Sequence, residues 1–579
     1  MTTLDPVTLA VLKGRLEQIA NEMDATLYRS AFNPIIAEAH DACHGLYHAT
    51  TGATLVQGTS GLPIFVGAMA FAVKAVIDRV AAGASNDPGD TWLFNDPYEG
   101  GTHLNDMRLV RPIFRDGKLF CWLASVGHWL DVGGNVPGNF NARATESFQE
   151  GFRIPPVKLA RKGEIQHDII EILSANSRLP QSNWGDLNGQ LNALDLGEQR
   201  LDALLADYGV ATVDAALEAF STRAEALMRA EIAALPDGRY SFDDFLDNDG
   251  ISDEPLRIAL DLTIAGDAMT LDFSRSAPPC QGPLNIAYST AVACCYVALK
   301  HIFPHVPANA GVLEPITFII PETTLLGVKA PKPVGGYTET ILRVIDTVFG
   351  VFAQIAPERA NGSPYATINA LSLAGHRNDG SRFVMFSFFG GGLGGNPETD
   401  GLNHGNNPIS TATIPPAEIL EAAYPVMFTQ WALRPDSGGA GRHRGGCGAI
   451  YEIEALAEKG ADVFLLGERG KFPPFGAAGG GPAAMNRFVY DTAEGPKSPP
   501  LVTKITDIHI ARGQRVRLES PGGGGYGHPH ERAPERVAAD VTRGYISAEQ
   551  ARSIYGVALG TNGQADTAAT AALRAEAVR

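Results

Sequence analysis

Residues 95–134 read NDPYEGGTHLNDMRLVRPIFRDGKLFCWLASVGHWLDVGG, and the patterning inside that stretch decides how the N-terminal third folds. Met107–Phe114 and Lys118–Ser125 are apolar-rich runs joined by Arg115-Asp116-Gly117, the turn chemistry of a β-hairpin. Antiparallel strands run back on each other, so the residues ahead of the first strand meet those beyond the end of the second. His103 and Asp106 lie ahead of the first; His128 and Asp131 lie beyond the second. Each pair is a His-x-x-Asp, and residues three apart converge in a turn although they diverge on an extended strand. A single pair reads more simply as an Asp-oriented histidine in a packed turn. Two pairs at one hairpin end predict a divalent metal held by His103, Asp106 and His128. Imidazole with carboxylate suits zinc or manganese, because magnesium and calcium prefer all-oxygen sites. Asp131 is the candidate for orienting a ligand or accepting a water proton.

Working outward, Asp90–Phe94 reads as a strand entering the Asn95-Asp96-Pro97 turn. Upstream, Asp5-Pro6 starts a long helix whose Leu9, Leu12, Leu16, Ile19, Met23 and Leu27 form an apolar stripe, either core or a partner-helix surface. Asp41, in Ala39-His40-Asp41-Ala42-Cys43-His44, is a further ligand candidate that spacing alone does not bring to the site. His40, His44 and His48, four apart, read as one helix face at the surface or supporting the site. Downstream, residues 166–233 are helical, Gly238–Phe273 is β-rich, and Asn285–Phe303 and Thr340–Ala356 are helices. Beyond Pro435 the chain turns glycine-rich and strand-like, closing with a helix over Ala548–Tyr555 and an alanine-rich tail expected to fray. The fold class is mixed α/β (α+β) and multidomain, since 579 residues exceed what one core accommodates. We expect a metal-bearing α/β domain over 1–237, a central α/β domain over 238–435, and a β-rich C-terminal region over 436–579.

Composition excludes several functions. A formal net charge of −18 repels a phosphate backbone and argues against nucleic acid. No basic-then-apolar leader opens the chain, and no run approaches the roughly 20 apolar residues of a membrane span. Six cysteines without a Cys-x-x-Cys spacing point to a reducing cytoplasm. Glycine-rich loops at Phe389–Gly395, Asp436–Gly446 and Pro521–Gly527 could cradle an anion, or serve as tight turns or interface loops. None is a Walker loop, and neither a Gly-x-Ser-x-Gly elbow nor a His-Glu-x-x-His helix occurs. ATP is therefore not expected on this chain.

Four ordered motifs resemble the hydantoinase B/oxoprolinase family over nearly the whole chain. Asn95-Asp96-Pro97-Tyr98 with Gly100-Gly101-Thr102-His103 and Asp106 resembles its first signature, and His128 with Asp131-Val132-Gly133-Gly134 its second. Arg434–Gly441 with Arg444-Gly445-Gly446 resembles the third. Pro521–Gly527 with Asp540, Gly544 and Tyr555-Gly556-Val557 resembles the fourth. Members include B-type subunits of N-methylhydantoinase, 5-oxoprolinase and caprolactamase, with acetone carboxylase a relative. The resemblance implies a metal on His103, Asp106 and His128, with Asp41 added as in lactamase-like members. It also implies a hydantoinase A-type partner of actin-like fold that binds ATP and magnesium and phosphorylates the substrate carbonyl oxygen. After Asp41 the chain departs from many relatives, with Ala42, Cys43, His44 and His48 where an aromatic, Ser, Cys and an acid are common.

The expected function is that of the metal-bearing B-type subunit of a cytoplasmic, hetero-oligomeric, ATP-dependent amidohydrolase. Its substrate would be a hydantoin, 5-oxoproline or another lactam, opened by hydroxide generated at the metal attacking the phosphorylated carbonyl carbon; a bound divalent ion lowers a water pKa from about 15.7 towards about 7. Two alternatives stand beside it. One is a subunit of an ATP-dependent ketone carboxylase, although carboxylase subunits tend to be longer. The other is a non-catalytic scaffold with a structural metal closed by four protein ligands.

Overall fold

The structure, a computed structural model, describes residues 4–410 and 413–577. Met1, Thr2 and Thr3, which bear on the expected absence of a leader, and Val578 and Arg579 of the expected fraying tail lie outside them. The fold is mixed helix and sheet, with twelve α-helices and four sheets among the described residues. Two compact units result, each drawn from three segments. The first comprises Met1–Arg239, Leu260–Ile341 and Ile409–Pro415; the second Tyr240–Ala259, Leu342–Pro408 and Pro416–Arg579.

In the first unit, strands β1 (Ala42–His48), β2 (Thr54–Gln57), β3 (Thr91–Phe94), β4 (Asp106–Arg115), β5 (Lys118–His128), β6 (Val157–Arg161) and β7 (Glu164–Ile165) form one antiparallel sheet, ordered β2-β1-β5-β4-β3-β6-β7. The β4–β5 turn holds Asp116 at φ 51° and Gly117 at φ 74°, the two positive angles a type I′ turn requires. Pairing runs from Arg115 opposite Lys118 to Asp106 opposite His128. Both strands are longer than the apolar pattern predicts and carry ligand candidates at their ends.

The sheet is covered by α1 (Pro6–Ser30), α2 (Pro34–Ala37), α3 (Pro63–Ala81), α4 (His167–Ala175), α5 (Pro180–Tyr208) and α6 (Val210–Ala233), with α7 (Tyr288–Ile302) packed on α3. Asp5 caps α1 by accepting from the amides of Val7 and Thr8, each at 3.0 Å, and Pro6 sits in the first turn. The stripe of α1 is core rather than a partner surface: Leu12, Leu16, Ile19, Met23 and Leu27 share one cluster with Leu194 and Leu201 of α5 and with Met107, Leu109 and Leu123 of the sheet. The alternate residues Cys43, Val110, Trp122, Ala124 and Val126 are also buried, on the face that α3 covers. With both faces covered, the strands read as near-continuous apolar runs.

A second, four-stranded sheet contains β8 (Gly238–Leu246), β9 (Leu256–Ala265), β10 (Ala268–Asp272) and β11 (Ile316–Ile319). The helix α8 (Tyr337–Ile355) comes next along the chain. The second unit contains β12 (Ala370–His376), β13 (Arg382–Ser387), β14 (Val426–Leu433), β15 (Ala449–Ala455), β16 (Ala461–Leu466), β17 (Arg487–Thr492), β18 (Gly495–Lys497), β19 (Lys504–Ile510) and β20 (Arg515–Glu519). They form sheets ordered β13-β12-β16-β19 and β14-β15-β20-β17-β18. Leu371, Leu373, Tyr451, Ile453, Val463, Leu465 and Leu518 belong to one core shared by the two sheets. The helices α9 (Ala417–Ala423), α10 (Pro534–Thr542), α11 (Ala548–Ser553) and α12 (Thr567–Ala577) complete the unit.

Two sequence readings are filled in by the structure. The alanine-rich tail forms α12, because Ala favours helix and the helix is tied down: Arg574 donates to the carbonyls of Tyr555 (3.2 Å) and Arg532 (2.8 Å). The three glycine-rich loops take the tight-turn and interface-loop alternative, with many of their amides spent on one another. They stack on one another: Gly392 N donates to Pro521 O, Gly395 N to Gly524 O, Gly446 N to Leu393 O and Gly523 N to Gly446 O, at 2.8 to 3.1 Å. A Cβ at Gly445 would lie 1.8 Å from Gly523 O, and one at Gly392 1.9 Å from Gly446 O. Close backbone approach, rather than left-handed φ, is what demands glycine there. No helix among the described residues is long and apolar enough to cross a membrane.

Candidate metal centre

Three strand ends and one turn build the site. Register sets Asp106 of β4 opposite His128 of β5. On the other side of β5, Ala42 of β1 pairs with Gly127, which puts Asp41 beside His128; the His128 amide donates to Asp41 O at 3.1 Å. His103 arrives by a turn in which the Asp106 amide donates to His103 O at 3.3 Å. The result is a buried group, His103, Asp106 and His128, whose ligating atoms lie within 4.8 Å of one another and could hold a metal ion.

The Asp106 carboxylate is the hub. Its Oδ2 accepts from His103 Nδ1 at 2.7 Å and from the Thr102 hydroxyl, while Oδ1 lies 3.5 Å from His128 Nδ1. Asp41 Oδ2 is 4.0 Å from the same His128 nitrogen. Burial alone would push the Asp106 carboxyl up, but His103, His128 and Arg108 prevail and hold it well below the usual range. At Asp41 burial wins and pushes the carboxyl up to about 7, against the pull of His128 and with the push of Asp106. The donor set fits a divalent ion on an independent ground. His103 Nε2, Asp106 Oδ1 and Asp41 Oδ1 are buried without a hydrogen-bond partner, an arrangement that costs roughly 1–3 kcal/mol per atom and that a cation would relieve.

Arg108 escapes the motif reading yet lies beneath the group, fully buried. It donates from Nη1 to Asp106 O at 2.7 Å and from Nη2 to Thr102 Oγ1 at 2.6 Å. The available signal was a pair of cations, Arg108 and Arg111, inside a strand whose other interior residues are apolar. Phe140 and Tyr337 also escape it, having no spacing relation to the histidines. The Tyr337 ring stands 4.6 Å from that of His103, and Phe140 lies 5.8 Å from His103 and 6.2 Å from His128, nearly parallel to the latter at 18°. Asn33 Nδ2 fixes the chain behind the site by donating to His128 O (3.2 Å) and Asp186 Oδ2 (2.6 Å).

Asp131 is fully buried, and both of its oxygens are engaged. Oδ1 accepts from the amides of Arg178 (2.9 Å) and Gly133 (3.1 Å), and Oδ2 from Arg178 Nη1 (2.9 Å). The structure therefore places it as the anchor of the loop after His128. The neighbouring histidines do not share a helix face, because Ala42–His48 pairs with β5 along its whole length. His44 is fully buried, 2.7 Å from Asp24 Oδ1 and 2.9 Å from Ser125 Oγ. His40 stacks on Tyr28 at 4.2 Å. His48 accepts from the amides of Thr50 and Thr51.

A two-unit mixed α/β protein whose sheet gathers two imidazoles and a carboxylate at strand ends is the class this geometry defines. Residues 5–529 match the family model described as hydantoinase B/oxoprolinase, and the chain belongs to that family. It is 34% identical to caprolactamase subunit beta of Pseudomonas jessenii over 593 residues, covering 99% of this chain and 100% of that one. The crystal structure of the ATP-dependent caprolactamase from Pseudomonas jessenii superposes with a TM-score of 0.89 at 33% identity, covering 99% of this chain and 100% of that chain. Nucleotide-free acetone carboxylase shares the fold at a TM-score of 0.90 and 22% identity, covering 99% of this chain and 83% of that chain.

Proposed function

We propose that this chain is the metal-bearing B-type subunit of a cytoplasmic, ATP-dependent hydrolase that opens a cyclic amide: a hydantoin, 5-oxoproline or another lactam. A hydantoinase A-type subunit would bind ATP and magnesium and phosphorylate the substrate carbonyl. The observation that carries the reading is the buried group His103, Asp106 and His128, with Asp41 alongside and three of the four carrying an unpartnered polar atom. Similarity along the full length of a caprolactamase subunit supports the substrate class and the need for a partner.

When bound, a zinc or manganese ion would supply a Lewis acid and acidify a water from a pKa of about 15.7 towards about 7. His103, Asp106, His128 and Asp41 would hold it. Arg108 and Thr102 keep the Asp106 carboxylate aimed and ionised. Asp131 acts as an orienting group, since its oxygens already accept four hydrogen bonds and are poorly placed to take a proton. Phe140 and Tyr337 close the apolar side of the histidine pair and exclude bulk water, which strengthens electrostatic interactions in the site. The fold shared with acetone carboxylase favours a ketone carboxylase subunit as the second reading.

The test is to co-purify the chain with an A-type subunit and measure metal content and ATP turnover with a panel of lactams, hydantoins and 5-oxoproline. One cyclic amide should stimulate ATP hydrolysis and be opened. His128→Ala should lose the metal and at least ~100-fold in turnover, more than removing a supporting group costs. Full turnover by a folded His128→Ala complex would sink the catalytic role. Bicarbonate-dependent ATP turnover with a ketone, and none with lactams, would establish the carboxylase.

A further inference from the structure

Tyr337 opens α8 against the imidazole of His103, with ring centroids 4.6 Å apart and planes at 38°. Its backbone is held from behind. The Tyr337 amide donates to Val334 O (3.0 Å) and the Gly336 amide to Pro283 O (3.0 Å). The amides of Val334 and Gly335 donate to the two carboxyl oxygens of Glu150 at 2.9 and 2.6 Å. A Cβ on Gly335 would meet Glu150 Oε1 at 2.9 Å, so this turn is moulded around that carboxyl. Thr340, one turn on, donates to Leu284 O at 2.6 Å. These restraints direct a rigid aromatic ring at the candidate metal centre.

The hydroxyl of Tyr337 makes no hydrogen bond among the described residues. The residue as a whole is 4% exposed. Its charged neighbours are Asp106, Asp41 and Arg108. Phenylalanine would stack on His103 equally well without bringing an unpaired hydroxyl into the site, which costs roughly 1–3 kcal/mol when left unmatched.

Resting on the functional reading above, we propose that Tyr337 is a catalytic residue whose O–H donates a hydrogen bond to the oxygen newly added to the phosphorylated carbon. That C–O bond forms on hydroxide attack, and charge gathers on this oxygen as it gives up its proton and re-forms C=O. The C–N bond breaks with the proton passing to nitrogen, and water then hydrolyses the acyl phosphate to carboxylate and phosphate. No bond to Tyr337 forms or breaks, and its proton stays on the phenol oxygen. Its contribution grows as charge develops on the substrate oxygen, as for any donor placed ahead of an oxyanion.

Tyr337→Phe, in the complex with the A-type subunit, tests this because it keeps the ring and removes only the donor. Metal content should stay at the wild-type level and KM within about threefold, while kcat falls about 10²- to 10³-fold, as for loss of one oxyanion donor. Affinity for a cyclic phosphonamidate, a tetrahedral mimic, should fall at least about tenfold. A kcat within about threefold of wild type overturns the inference. Loss of the metal in Tyr337→Phe also overturns it, by making the residue structural. A metal-loaded wild-type complex that opens no cyclic amide overturns both the inference and the reading beneath it, whereas wild-type turnover with an unaffected variant removes Tyr337 alone.

Discussion

Asp400 in the second unit accepts from both terminal nitrogens of Arg532 (2.7 and 2.8 Å), from Arg536 Nη2 (2.7 Å) and from the Arg444 amide (2.8 Å). Burial pulls its carboxyl upward, but Arg532 prevails and holds it at about 2. A carboxyl lowered on folding contributes stability that is complete above its ordinary pKa near 4 and is lost as pH falls through about 2. Thermal melts between pH 5 and pH 2 should therefore show an acid limb that Asp400→Asn flattens. The variant should also lose about 1.5–3 kcal/mol at neutral pH, the scale of hydrogen bonds to a charged group. At the candidate metal centre the same physics runs through Arg108, a guanidinium buried under Asp106. The two histidines and Asp106 were legible as a motif because hairpin geometry is local. Arg108, Phe140 and Tyr337 were not, since a side chain's neighbours across a fold leave no spacing in the chain.

Two glycines illustrate how elements differ in what they demand. Gly14 is exposed in the middle of α1, and a Cβ there meets nothing within 4 Å. Gly14→Ala should stabilise the protein by about 0.5–1 kcal/mol, because alanine spares backbone entropy in a helix. Gly445 sits where a Cβ would fall 1.8 Å from Gly523 O. Gly445→Ala should destabilise by roughly 3 kcal/mol or more, as forced displacement of packed backbone does. Denaturant unfolding of the pair checks both signs, and equal stabilities would refute the account of the stacked loops. At this scale α1 and the β4–β5 hairpin were readable from capping, periodicity and turn residues. The strand β1 was not: histidines four apart suit a helix face, and only pairing with β5 makes that segment extended. The glycine loops announced close approach without naming what approaches.

At the scale of the molecule, the chain passes between its two units five times, and three passages fall inside β8, β9 and α8. A protease that needs an extended, mobile segment finds none at those three points. Limited proteolysis read by mass spectrometry should release no stable fragment ending between Gly238 and Leu246 or within α8, and recovery of such a fragment would refute this. The sequence by itself determined the class of fold, the hairpin, the three residues His103, Asp106 and His128, and the family, because each is carried by short-range patterning or by ordered motifs. The tertiary structure alone decided that Asp41 stands beside His128, that Asp131 is bound to Arg178, and that Tyr337 faces His103 from more than two hundred residues away. The reason is physical: local periodicity reports which face of an element is buried, whereas which elements bury each other depends on the free energy of the whole packed chain.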